Sequence, residues 1–236
     1  MAWWESCFLS NPSSPPASAN QLDWEQRYEA GDTPWEKGAP APPLLEWLES
    51  RGSIRGDILV PGCGSGHDVR AIAAASPGAK VIGLDIAPSA LDRARRFSLA
   101  GNETYQWADL FDLPIALTNR FDWVFEHTCF CALEPARRVD YVRAITRALK
   151  PKGALLAIFF LNPWDPGEMP EEGGPPFEVT REELDLLFGT HFELVEELKP
   201  RRAYPEREGR EIIRLLRRND SVSASVGKES AHGSSE

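Results

Sequence analysis

Asp57-Ile58-Leu59-Val60-Pro61-Gly62-Cys63-Gly64-Ser65-Gly66-His67-Asp68 is the stretch that decides the fold. A short apolar strand, Asp57 to Val60, gives way to three alternating glycines and then to the helical run Val69 to Ala75. Glycines at a strand-to-helix turn let the backbone pass close to a ligand, because no Cβ stands in the way. The free N–H groups at the helix start then face that ligand. The next strand, Lys80 to Leu84, ends at Asp85, about where an acid gripping a pair of ribose hydroxyls is expected. Together these elements describe a nucleotide-binding α/β unit, with a tight turn lacking any ligand as the plain alternative.

The glycine spacing separates two cofactor classes. A dinucleotide site wants Gly-x-Gly-x-x-Gly, and here His67 holds the place of the third glycine. The alternation Gly62, Gly64, Gly66 instead resembles the first motif of S-adenosylmethionine-dependent methyltransferases.

Further along, strands and helices alternate. A helix is expected at Pro43 to Glu49 and another from Pro88 through Leu99, with proline in the tolerated first turn. Strands follow near Glu103 to Trp107 and at Arg120 to Glu126. Arg137 to Leu149 reads as an amphipathic helix closed by Lys150-Pro151-Lys152-Gly153, before a strand at Ala154 to Leu161. Such alternation implies an α/β fold, a mainly parallel sheet with helices on both faces. Asn162 to Phe177 is a long loop dense in Pro and Gly, which suits a substrate lid. Thr180 to Glu183 caps one more helix, and Phe192 to Leu198 with Glu211 to Arg217 form an expected edge hairpin.

Composition bounds the function. The chain has 236 residues, 42 % of them hydrophobic, enough for one full core. A formal net charge of -10 argues against nucleic acid or an anionic membrane surface as partner. No apolar run is long enough for a membrane helix, and the four cysteines suggest neither a disulfide framework nor, with so few histidines, a zinc site. Reduced thiols and a cytoplasmic location are the simplest account. The expected organisation is a mobile leader over 1–19, one domain over 20–218 and a disordered tail over 219–236. A monomer without metal is expected.

From Trp24 to Arg217 the chain resembles the thiopurine S-methyltransferase-like family, in particular its halide and thiol methyltransferase branch. The resemblance rests on Trp24-Glu25-x-x-Tyr28, Thr33-Pro34-Trp35-Glu36, the glycine motif with Val60-Pro61 in front of it, and Gly83-Leu84-Asp85-Ile86. Phe130-Cys131-Ala132-Leu133-Glu134-Pro135, Leu149-Lys150-Pro151-x-Gly153 and Gly173-Gly174-Pro175-Pro176-Phe177 continue it. Most methyltransferases of this fold carry an acid where Val60 stands; this family does not.

The resemblance implies the class I S-adenosylmethionine methyltransferase fold: a Rossmann-like, mainly parallel seven-stranded sheet with the last strand antiparallel. It also implies S-adenosyl-L-methionine as donor. Carried over by position, Trp24 and Trp35 would cover the cofactor and Gly62 and Gly64 would line its methionine end. Asp85 would take the ribose hydroxyls, with Ile86 against the adenine and Asp109 near the adenine amino group. His127 and Thr128 would face the methyl group, His127 touching the cofactor too. Each has a bland alternative: Trp24 and Trp35 as core, Asp85 and Asp109 as turn or cap residues, His127 as a satisfied hydrogen-bonding side chain.

The acceptor implied is a small nucleophile: thiol, hydrosulfide or halide. Halide-methylating relatives carry a tyrosine at the position of His127 and another at that of Phe177. An imidazole beside a more apolar wall favours a thiol or hydrosulfide, whose ionisation a neighbouring histidine would assist. The alternatives are a non-catalytic S-adenosylmethionine-binding regulator of the same fold, a nicotinamide-dependent oxidoreductase, and a methyltransferase acting on protein or RNA.

Overall fold

The computed structural model describes residues 23–171 and 173–219. The leader expected over 1–19 and nearly all of the tail expected over 219–236 lie outside the described residues.

Seven strands form one sheet: β1 (Asp57–Pro61), β2 (Lys80–Asp85), β3 (Glu103–Trp107), β4 (Phe121–His127), β5 (Leu149–Phe160), β6 (Phe192–Leu198) and β7 (Glu211–Arg218). Their order is β3-β2-β1-β4-β5-β7-β6. Neighbours from β3 through β5 are parallel, and β7 runs antiparallel to both β5 and β6. The helices are α1 (Trp24–Ala30), α2 (Pro42–Arg51), α3 (His67–Ala75), α4 (Pro88–Arg95), α5 (Arg138–Ala148) and α6 (Arg181–Phe188). No helix among the described residues is long and apolar enough to cross a membrane.

Side chains in a strand alternate between faces, and the central strands show what this does to the core. Leu59 packs into the cluster under α5 and α6, while its neighbours Ile58 and Val60 pack into the cluster under α2 and α3. In β5, Leu155, Ala157 and Phe159 face one layer and Leu156 and Ile158 the other. A sheet covered on both faces needs continuous apolar strands. Hence the runs that the sequence offers.

Several boundaries shift from expectation. Helix α4 stops at Arg95, because Phe97 turns away to lie against the Arg70 guanidinium (4.1 Å) and the His67 ring. Strand β5 starts at Leu149, and Lys150 to Gly153, expected as a helix stop, bulge out between the paired residues Leu149 and Ala154, with Lys152 at φ 61. Helix α5 starts at Arg138, after a 3-10 turn over Pro135–Arg137. Helix α6 is capped as the sequence suggests, Thr180 Oγ1 accepting from the Glu183 N–H at 3.1 Å.

The chain leaves β1 toward β2 and β3, then returns to the other side for β4. Parallel strands that part this way leave a crevice at their carboxyl ends, where open α/β sheets bind ligands. A cavity of about 770 Å³ sits there, lined by Gly62 after β1, Asp85 after β2 and His127 after β4.

Candidate active site

The floor of the cavity is the turn after β1. Gly64 has φ 52, and a Cβ there would lie 2.9 Å from the Tyr28 hydroxyl. Gly66, at φ 72, would push one to 2.6 Å from the Tyr105 ring. Any other residue would meet strain and a neighbour at once. The Gly64 N–H donates to Asp85 Oδ2 at 2.8 Å, and the Ala87 N–H to Oδ1 at 3.0 Å. Asp85 therefore does bind its own turn, the bland alternative, yet each carboxylate oxygen keeps a further lone pair for a hydroxyl. Burial, outweighing these hydrogen bonds, pushes its carboxyl up from the ordinary range. Asp109 likewise accepts from the Phe111 N–H at 2.8 Å and still faces the cavity.

A strap over residues 24–38 closes one side. Trp24 and Trp35 meet edge to face at 5.2 Å, Trp35 Nε1 donates to the Tyr28 hydroxyl at 3.0 Å, and the Arg27 guanidinium covers the Trp35 ring at 4.5 Å. Glu25 fixes the strap to the start of α4, accepting from the Ser89 N–H and Oγ. Glu36 fixes the other end to the glycine turn, where His67 Nε2 lies 3.2 Å from its Oε1. Burial works against that charge. Hydrogen bonds from His67, Ser65 and the Gly38 N–H outweigh it and hold the Glu36 carboxyl at about 2.

The opposite wall contains a four-residue chain. His127 Nδ1 lies 2.8 Å from Asp68 Oδ2, and its Nε2 lies 3.2 Å from Arg207 Nη1. Beyond Arg207 is Glu211, whose Oε1 is 3.4 Å from the same Nη1. A guanidinium has only N–H groups to offer. Nε2 therefore accepts from Arg207, and Nδ1 donates to Asp68. The base expected at His127 is not available in this arrangement, because its free lone pair is already taken. His67 is held in the same fashion, Arg70 Nη2 meeting its Nδ1 at 3.0 Å while Nε2 faces Glu36.

Trp24, Trp35, Gly62, Gly64, Asp85, Ile86, Asp109, His127 and Thr128 all border this one cavity. Thr128 adopts φ 63, uncommon for a β-branched residue, and its Oγ1 donates to the His127 carbonyl at 2.7 Å. Phe177 is different. It does not border the cavity; Pro175 and Pro176 do, and the Phe177 N–H donates to the Cys131 carbonyl at 2.7 Å. The expected wall residue is thus an anchor of the loop. Cys63, Cys129 and Cys131 reach the cavity as well. Burial, their largest influence, pushes all three thiols up, that of Cys131 to about 12. Arg207 and Tyr204 also border the cavity, with Glu211 behind Arg207; they flank a turn with no periodicity, and nothing local in Tyr204-Pro205-Glu206-Arg207 marks a cavity wall. Asp68 stands in the opening motif, just before the helical run, with nothing local to mark it as a partner of His127.

The comparisons with known proteins point one way. The family profile described as Thiopurine S-methyltransferase (TPMT) matches residues 19–223. This chain belongs to that family. The "Probable thiol methyltransferase 2" of Arabidopsis thaliana is 37% identical over 195 residues, covering 80% of this chain and 82% of its own. "Thiocyanate methyltransferase 1" of the same plant is 34% identical, again over 80% and 82%. Among solved structures, 1,6-didemethyltoxoflavin-N1-methyltransferase of Burkholderia thailandensis, with S-adenosylhomocysteine bound, shares the fold at TM-score 0.61 and 21% identity, covering 83% of this chain and 85% of that one. The protein is an S-adenosylmethionine-dependent methyltransferase. The residues present suit that donor: a glycine cradle without room for side chains, an acid with spare lone pairs beside it, and aromatic rings above.

Proposed function

We propose that the methyl group goes to a small soft nucleophile, a thiol or hydrosulfide first, with halide the lesser acceptor. The observation that carries this reading is the Arg207 guanidinium on the cavity wall. It is 5% exposed, stacked over the Phe160 ring at 4.8 Å, and engaged through Nη1 only among the described residues. A buried cation with N–H groups to spare suits an anion that must shed water. The names of the plant relatives, thiol and thiocyanate methyltransferases, support the same acceptor class.

S-adenosylmethionine, when bound, supplies a methyl already activated by a positive sulfur. The chain's own work is then to hold the acceptor in line and dry. Asp85 would grip the ribose, Ile86 and Asp109 the adenine, Gly62 and Gly64 the methionine end, and Trp24 and Trp35 would cover it. Arg207 would orient the acceptor and favour its anionic form, since a neighbouring positive charge lowers a thiol's pKa from about 8.5. His127 would hold Arg207 in place rather than take a proton, with Thr128 shaping the turn beside it. Methylation rates on hydrosulfide, methanethiol and iodide, read as volatile products, test the reading. Faster turnover of the thiols is expected, and a large preference for iodide would overturn it.

A further inference from the structure

Glu211 stands out among the groups this chemistry does not use. It opens β7, paired with Phe160 of β5, and is 2% exposed. Its Oε2 is buried with no hydrogen-bond partner, while Oε1 lies 3.4 Å from Arg207 Nη1 and 3.9 Å from His127 Nε2. A fully buried carboxylate with one oxygen unsatisfied is costly. The opposing charge of Arg207 is what offsets that cost. An anion docked on the spare N–H groups of Arg207 would divide that offset between two negative charges.

We propose that Glu211 is a specificity-determining residue that takes up a proton on Oε2 as the acceptor anion docks on Arg207. Anion and proton then enter together, and the pocket's net charge is unchanged by binding. The inference rests on the proposed function, because it needs the acceptor anion beside Arg207. The charged and titratable groups facing Glu211 are Arg207 from the turn before β7, His127 from β4, Asp68 from α3, and Tyr204. His127 is the poorer proton acceptor here, since a proton on Nε2 would confront an Arg207 N–H. Asp68 is held by the Ala41 N–H at 2.7 Å and by His127. Tyr204 already donates to the Ala39 carbonyl at 2.7 Å. Burial raises the Glu211 carboxyl above its ordinary range, against the pull of the Arg207 guanidinium.

Thiocyanate is the probe, because it stays an anion across the whole working pH range, so any pH dependence belongs to the protein. The full chain is saturated with S-adenosylhomocysteine and titrated calorimetrically in two buffers of different ionisation enthalpy. The wild type should take up close to one proton per thiocyanate, with Kd rising nearly tenfold per pH unit through the linked window. Glu211→Gln, neutral already, should bind with a flat pH profile and no proton uptake. The inference is overturned by wild-type binding without proton uptake, by a Glu211→Gln profile as steep as the wild type's, or by thiocyanate failing to bind at any pH. The wild-type proton count stands even where the variant folds poorly. The two readings fail separately: absence of methyl transfer to any small thiol or anion sinks the proposed function, whereas ordinary thiol turnover with pH-flat thiocyanate binding sinks this one.

Discussion

Both cavity histidines are clamped between an arginine and a carboxylate, and the clamp decides what they can do. An imidazole that donates on one side and accepts on the other is a spacer, and a well-oriented one. Its replacement should therefore matter less than that of the arginine it holds. Arg207→Lys keeps the charge but loses the planar fork. We expect KM for hydrosulfide or methanethiol to rise about tenfold or more, since a charge-assisted hydrogen bond contributes roughly 1.5–3 kcal/mol. Donor affinity, measured by calorimetry with S-adenosylhomocysteine, should stay within about twofold. Asp85→Asn should do the reverse. Its carboxylate accepts one backbone N–H on each oxygen, so an amide must turn its NH2 toward one of them. Donor affinity should fall at least about tenfold, and unfolding free energy by roughly 1–3 kcal/mol. Asp85 was legible in the sequence because strand, turn and acid are near neighbours in the chain. Arg207 was not, because its partner His127 lies 80 positions away and only the completed sheet brings them together.

At the scale of elements, the strap and the glycine turn form one unit. The Tyr28 hydroxyl sits where a Gly64 side chain would go, and Glu36 ties the strap to His67. Trp35→Ala removes a ring that packs on Trp24, Tyr28 and Arg27 together. Loss of such an aromatic contact costs roughly 3–5 kcal/mol where it is fully buried and less at this half-buried site. A clear weakening of donor binding with little change in acceptor KM is the expected result. The sign of the acid response follows from Glu36. Its folded carboxyl titrates at about 2 against 4.5 when free, so it stabilises the fold above 4.5 and loses that contribution as pH falls toward 2. Tryptophan fluorescence and thermal melts through this window should show the strap loosening, and Glu36→Gln should flatten the response. The helix character of α1 was readable from Trp24 and Tyr28. Its attachment was not, since Glu25 and Ser89 are 64 residues apart.

For the whole molecule, the alternation of apolar strands and amphipathic helices carried nearly all of the topology. Buried runs such as Ala154 to Leu161 announce strands covered on both sides, and the pair at the carboxyl end announces the reversed edge. What periodicity could not place were the ends: the stop of α4, which Phe97 sets through a contact with α3, and the start of β5, where polar residues bulge out between two paired positions. The acidic surface is also unevenly tied. Glu46 and Glu49 of α2 bind Arg201 and Arg202 beyond β6, and Arg51 binds Glu196 within it. The Glu49–Arg202 pair is open to solvent on both sides and is screened, so it contributes little. Glu49→Gln should accordingly leave the melting temperature nearly unchanged.

The three cysteines at the cavity raise a problem of self-inflicted damage. A methyltransferase with thiols on its cavity wall keeps its own sulfur within reach of the reagent. Cys63, Cys129 and Cys131 escape because a thiol must ionise to attack, and burial keeps theirs protonated. Arg207 and Arg138 near Cys131, and Arg95 and Arg70 near Cys63, draw those thiols the other way, and burial outweighs them. The same low-polarity packing that shapes the pocket thus serves as its immunity. Prolonged incubation with S-adenosylmethionine alone should leave the intact mass of the protein free of any added methyl.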